Sequence, residues 1–313
     1  MRRIAMALVV ALALVAAACS DSGGGESGAA VSSAPDTAPV STPRAGQLEV
    51  AEYTETFVDP TRVTAAPAAA PERALITTIR VPESGGPFPL IVFAHGFDGH
   101  PRKFGELTTA WAEAGYVVAV PRFPLTSDEV EEGVIADVAD QPGDVSFVID
   151  EMLRLNEEEG SVVAGRIDPD RIGVGGLSLG GITTLGVTYN ACCRDERVDG
   201  AVVMAGLQYP FPGAYEIVDV PLLLFHGDAD PVLPYDSSVD TFAVASPPKF
   251  FVTILGGGHS QPFEDVEDPA DEMVRSVSVD FWDLYLRDDP EALDRLLADA
   301  DVPNLATLQD DAG

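Results

Sequence analysis

Basic charge is scarce in this chain. Eighteen Lys and Arg stand against 51 Asp and Glu over 313 residues, a formal net charge of −33, and Lys103 and Lys249 are the only lysines. A polyanion of this size is repelled by nucleic acid phosphates and by anionic lipid surfaces, so nucleic acid is excluded as a partner. Histidine and cysteine are also few, at four and three. No second Cys or His cluster lies near the adjacent pair Cys192 and Cys193, so no metal site is expected there. In an exported protein that pair can oxidise to a vicinal disulfide, and the sequence leaves its redox state open. What the chain does have is apolar mass. With 46% hydrophobic and 7% aromatic residues it can bury a sizeable core and is not a disordered chain.

The N-terminus reads as an address rather than as part of the fold. Arg2 and Arg3 precede an apolar run from Ile4 to Val15 and the small residues Ala16, Ala17 and Ala18. That run is too short to span a bilayer comfortably, so residues 1–18 are expected to be a signal peptide. Cys19 follows directly, an arrangement that resembles the bacterial lipobox, although Ala16 stands where Leu is usual. Cys19 is therefore the expected lipidation site, with simple secretion as the alternative. Residues 19–47, rich in Gly, Ser, Ala and Pro, would form a flexible tether. Lipidated Cys19 is the one membrane contact expected.

From 48 to 313 the pattern alternates strands and helices. Residues 48–57 and 74–81 read as two strands of an antiparallel edge. The continuous apolar run 89–95 reads as a strand covered on both faces. Further strands are predicted at 116–123, 171–176, 198–206, 220–227 and 249–255. Helices are predicted at 102–114, from Asp140 as N-cap to about Asn156, from Ser178 to Tyr189, and at 236–244, 270–287 and 291–299. Such alternation implies one α/β domain, a mostly parallel central sheet flanked by helices. The acidic stretch 127–140 reads as a solvated helix, with folding over the site as the alternative.

One motif carries chemistry. Gly176-Leu177-Ser178-Leu179-Gly180 matches G-x-S-x-G and lies between an apolar strand and a helix. A turn that sharp needs glycine two residues either side of the serine, and it presents Ser178 Oγ above the sheet beside a helix N-terminus. Gly173-x-Gly175-x-x-Ser178 is a near miss for a dinucleotide fingerprint, with Ser where Gly or Ala is required. A nucleophilic serine needs a base and the base an acid, in the chain order Ser, acid, His. His259, after the Gly256-Gly257-Gly258 loop, is the expected base, and His226 is the second candidate. Asp230 is the expected acid and Asp228 the second. Calcium binding by Asp228, Asp230 and Asp236 is disfavoured, since the Gly and terminal Glu of a calcium loop are missing. The backbone N–H groups of Phe97 and Leu179 are the expected oxyanion donors, with His95 bracing the first loop and His100 on the surface.

The segments HGFDG (95–99), GLSLGG (176–181), HGDADPVLP (226–234) and GGGH (256–259) resemble the α/β-hydrolase superfamily over about residues 72–288. AWAEAGYVVAVPRFPLTS (110–127) and QPGDVSFVIDEML (141–153) look like its dienelactone hydrolase, platelet-activating-factor acetylhydrolase, chlorophyllase and polyester hydrolase cluster. Dienelactone hydrolases carry a cysteine nucleophile where this chain has Ser178, and the HGGG motif of another esterase group is absent. The resemblance implies an α/β-hydrolase fold with no large cap, and a serine esterase that needs no cofactor. Its substrate would be a small-molecule, lipid or polyester ester. Leu207, Tyr209 and Phe263 are candidates to line an acyl groove, with Phe97 beside them. The rival functions are a non-catalytic binding lipoprotein on the same scaffold, and an acyl transferase or peptidase with the same three residues.

Overall fold

A computed structural model describes residues 47–66 and 70–313. The signal peptide, Cys19 and all but the last residue of the tether lie outside the described residues. Among the described residues nine strands form one sheet: β1 (Val50–Asp59), β2 (Arg73–Pro82), β3 (Phe88–Ala94), β4 (Val117–Arg122), β5 (Ile167–Leu177), β6 (Val198–Met204), β7 (Leu222–Gly227), β8 (Lys249–Ile254) and β9 (Ala306–Asp311). Their order is β1-β2-β4-β3-β5-β6-β7-β8-β9. The six strands from β4 to β8 pair in parallel, and the marginal pairings β1–β2, β2–β4 and β8–β9 are antiparallel. The fold is a mixed α/β architecture with helices on both faces of a large central sheet.

Strand β3 shows why its sequence reads as a continuous apolar run. Ile91 and Phe93 enter the core on one face, while Leu90, Val92 and Ala94 enter the core on the other. The first face is covered by α1 (Gly105–Glu113), α5 (Asp271–Leu286) and α6 (Ala292–Ala300), through residues such as Trp111, Trp282 and Leu296. Trp111 and Trp282 meet edge to face at 5.7 Å, and Trp111 Nε1 donates to Ser278 Oγ at 2.8 Å. Truncating either ring to Ala should cost about 3–5 kcal/mol. The opposite face is covered by α2 (Gln141–Glu157), α3 (Leu179–Tyr189) and α4 (Asp236–Val244), through Val145, Val148 and Met152 of α2 and Leu185 of α3. Gly173 of β5 leaves room for the Trp282 ring, which a Cβ there would meet at 2.8 Å. Packing against α5 accounts for this glycine.

Several local expectations need revision. The first helix begins as a 3-10 turn, Pro101–Phe104, before α1 proper. Asp140 does not cap α2: a 3-10 helix over Ile135–Ala139 leads straight into it, and Asp140 has helical backbone angles and no side-chain cap bond. The acidic stretch 127–140 is not a solvated helix. Its Val138 is buried against Leu179, Ile182 and Phe211, and its Asp137 is buried in an ion pair with Arg73. Strand β9, with the polar sequence ATLQDD, was not expected at all. Cys192 and Cys193 form a vicinal disulfide.

Candidate active site

The sharp turn between β5 and α3 puts Ser178 in a backbone conformation rare for a residue with a side chain, φ 57° and ψ −116°. Added Cβ atoms on Gly176 and Gly180 would fall onto the Gly180 and Ala94 carbonyls respectively, so both positions require glycine. The backbone is pinned here by Ser178 N–H donating to Met204 O at 2.9 Å and Ile182 N–H donating to Ser178 O at 2.9 Å. Leu179 is the first residue of α3, so its N–H belongs to the electropositive end of that helix.

Two loops from neighbouring strand ends complete the arrangement. His259, after β8, places Nε2 2.8 Å from Ser178 Oγ. Its Nδ1 lies 2.6 Å from Asp230 Oδ2, on the loop after β7. The other oxygen of that carboxylate, Oδ1, accepts the N–H groups of Val232 at 2.7 Å and Leu233 at 3.0 Å. Burial pushes the Asp230 carboxyl up, but His259 and the two backbone donors outweigh it and hold the group below the usual carboxylate range. Asp228 does not reach His259; its Oδ1 accepts the Gly256 N–H at 2.6 Å and so ties the two loops together. Asp236 begins α4.

The loop after β3 abuts the serine. A Cβ on Gly96 would stand 3.2 Å from Ser178 Cβ. The Gly96 carbonyl accepts from His95 Nδ1 at 2.7 Å and from Gly99 N–H at 3.1 Å, which turns the following N–H, that of Phe97, the opposite way. His95 Nε2 accepts the Phe123 N–H at 3.1 Å, so the proton sits on Nδ1. Burial pushes the His95 imidazole down to about 4, against the opposing pull of the Gly96 carbonyl, and the ring stays neutral. His100 lies at the edge of this region, accepting Arg102 N–H at Nδ1 and pairing with Glu129.

The candidate groove residues fall into different settings. Leu207 and Tyr209 are half-buried on the cluster of Val138, Leu179, Ile182 and Phe211, beside the turn. Phe97 is 41% exposed on the rim. Phe263 is 3% exposed and packs on Phe225 in the core, supporting the His259 loop from beneath. One residue and one contact escaped the sequence reading. Gln141, fully buried, donates to Thr126 Oγ1 at 2.8 Å and accepts from Thr183 Oγ1 at 2.7 Å, linking the loop after β4 and the start of α2 to α3. The contact is made by His226, the second candidate base, which does not meet Ser178 but places Nε2 3.1 Å from Asp230 Oδ2. The four-residue spacing in HGDAD was the only sequence signal for that contact.

No protein-family model matches the chain. Over 104 residues, 31% of the chain, it is 32% identical to a Bacillus subtilis (strain 168) protein named "Putative esterase YitV". That match spans 38% of the relative's own length.

Proposed function

We propose that this is a serine hydrolase of the α/β-hydrolase fold that cleaves carboxylic esters through an acyl-enzyme. The observation that carries the reading is the hydrogen-bonded chain Ser178 Oγ, His259 Nε2, His259 Nδ1, Asp230 Oδ2, with links of 2.8 and 2.6 Å, assembled on loops at the C-terminal ends of parallel strands. Ser178 Oγ attacks the ester carbonyl carbon as His259 Nε2 takes its proton. The Phe97 and Leu179 N–H groups hold the resulting oxyanion. The bond to the alcohol oxygen breaks as the imidazolium returns that proton to it. Water, deprotonated by the same nitrogen, then attacks the acyl carbon, releasing the acid and restoring the serine hydroxyl. No cofactor enters any step.

The four motifs on these loops support placing the domain in the α/β-hydrolase superfamily, and the segments 110–127 and 141–153 support a place near its dienelactone hydrolase, platelet-activating-factor acetylhydrolase, chlorophyllase and polyester hydrolase cluster. The short connection 205–221 between β6 and β7 fits a site without a large cap. Leu207 and Tyr209 would contact the acyl group. Export and anchoring through Cys19 complete the proposal, placing the enzyme in the cell envelope of a bacterium.

The test is hydrolysis of p-nitrophenyl esters from acetyl to palmitoyl, with Ser178→Ala alongside and fluorophosphonate labelling of the wild type. Serine-dependent turnover and a label on Ser178 are expected; full activity in Ser178→Ala would overturn the assignment. A labelled but inactive wild type would favour a specialised substrate. For anchoring, Cys19→Ala should release the protein from the membrane fraction.

A further inference from the structure

His226 ends β7 with no solvent exposure, and both of its ring nitrogens are engaged. Nδ1 lies 2.7 Å from Ser238 Oγ of α4. Nε2 faces two groups that can only accept, Asp230 Oδ2 at 3.1 Å and the Leu233 carbonyl at 3.3 Å. The proton must therefore sit on Nε2, and Nδ1 accepts from the serine hydroxyl. Burial favours the neutral ring over the imidazolium, so this single tautomer is held. The Tyr235 ring packs on the imidazole edge to face at 5.8 Å.

This ring completes the Asp230 carboxylate. Oδ1 takes two backbone N–H groups, and Oδ2 takes His259 Nδ1–H and His226 Nε2–H. Four donors fill the four acceptor positions of a carboxylate whose side chain has no solvent exposure. Asp230 itself stands on an irregular loop, and both of its backbone donors belong to that same loop. His226 is the donor that comes from the sheet.

We propose that His226 is a positioning residue, which fixes the Asp230 carboxylate to the end of β7 so that Oδ2 meets His259 at the distance and angle the base requires. The inference rests on the serine-hydrolase reading of Ser178, His259 and Asp230. His226 does not touch substrate; it acts through the aspartate. A displacement of the base by a fraction of an ångström slows the chemical step while leaving substrate binding almost unchanged.

The experiment compares wild type, His226→Leu and His226→Gln in steady-state hydrolysis of one p-nitrophenyl ester, with thermal melts of each protein. Leu removes the donor, whereas the Gln side-chain amide reaches the position of Nε2. Expected are a kcat loss of about 10- to 100-fold in His226→Leu with KM within about twofold, and recovery of most of that loss in His226→Gln. A folded His226→Leu with wild-type kcat would overturn the proposal, as would a loss confined to KM. If His226→Leu does not fold, His226→Asn decides, because the Asn amide nitrogen takes the place of Nδ1 rather than of Nε2 and leaves Asp230 Oδ2 without this donor. A several-fold kcat loss there supports the proposal and an unchanged kcat overturns it. Wild-type protein without Ser178-dependent turnover would overturn the reading of the site itself, which shows in a separate arm of the experiment.

Discussion

Asp230 and Asp144 are both aspartates whose side chains have no solvent exposure, and they are built in opposite ways. Asp144, in the first turn of α2, receives Arg73 through Nε at 2.6 Å and a second nitrogen at 2.5 Å, and Arg62 lies 2.8 Å away. Arg73 reaches Asp137 as well, with two bonds of 2.9 Å. Three carboxylates, Asp59, Asp137 and Asp144, thus face two guanidinium groups, and Asp144 is paired directly with both arginines. Asp230 meets no arginine. Its partners are two backbone N–H dipoles and two imidazoles, so its full negative charge remains available to an imidazolium that forms on His259. Burial alone does not separate a carboxylate locked to arginine from one free to polarise a histidine. The kind of donor around it does.

Replacing each aspartate with asparagine gives the widest separation. Asp230→Asn should lower kcat by about 10⁴-fold with little change in the urea midpoint, because the amide favours the wrong tautomer of His259. Asp144→Asn should instead leave kcat of the folded enzyme within about twofold and cost about 3–5 kcal/mol in urea unfolding, since Arg73 is left under-compensated in the interior. A large rate loss in Asp144→Asn at unchanged stability would erase the distinction.

Acid should weaken the two regions unequally. The folded His95 titrates near 4 while the unfolded chain titrates near 6.5, so between those values the unfolded state binds the extra proton. Stability is therefore lost as pH falls from about 6.5 to 4, by about 3 kcal/mol for this one ring. Urea midpoints at pH 7, 5.5 and 4 should show that slope, and His95→Gln should flatten it. Hydrogen exchange should open the loops after β3 and β7 before the Arg73 cluster on β2 and α2.

The smallest effect concerns the bridge between the regions. Thr183→Val takes a donor from buried Gln141 and should cost about 1–2 kcal/mol, with kcat within about twofold. A tenfold rate loss there would mean that the bridge also sets the nucleophile's position.

Most strands and helices were legible in the sequence because burial repeats along them, as in the run 89–95 and the apolar face of 141–157. The placement of Ser178, Asp230 and His259 at strand ends followed from the same pattern plus the glycines around the serine. What escaped depends on distant partners. Strand β9 hydrogen-bonds on one side only and carries no apolar run, so nothing in ATLQDD marks it. The acidic stretch 127–140 looks solvated until Arg73, 64 residues before Asp137, is known to wait beneath it. Asp140 has the composition of a cap, and only the preceding 3-10 turn makes capping redundant. His226 was legible as a histidine near the acid, but its grip on Asp230 depends on Ser238, which arrives on the next helix.

The order in which these pieces are synthesised has its own consequence. Ser178 and His259 are separated by 81 residues, and the strand that leads to His259 is covered on its far side by β9, the last strand of the chain. A polypeptide growing from its N-terminus forms the serine turn well before its base exists, and a serine hydroxyl without a base is an ordinary alcohol. On the proposed reading, Ser178 stays unactivated throughout synthesis until the last fifth of the chain has docked. Fragments cut short of β8 would be inert rather than indiscriminate, a safeguard that follows from strand order alone.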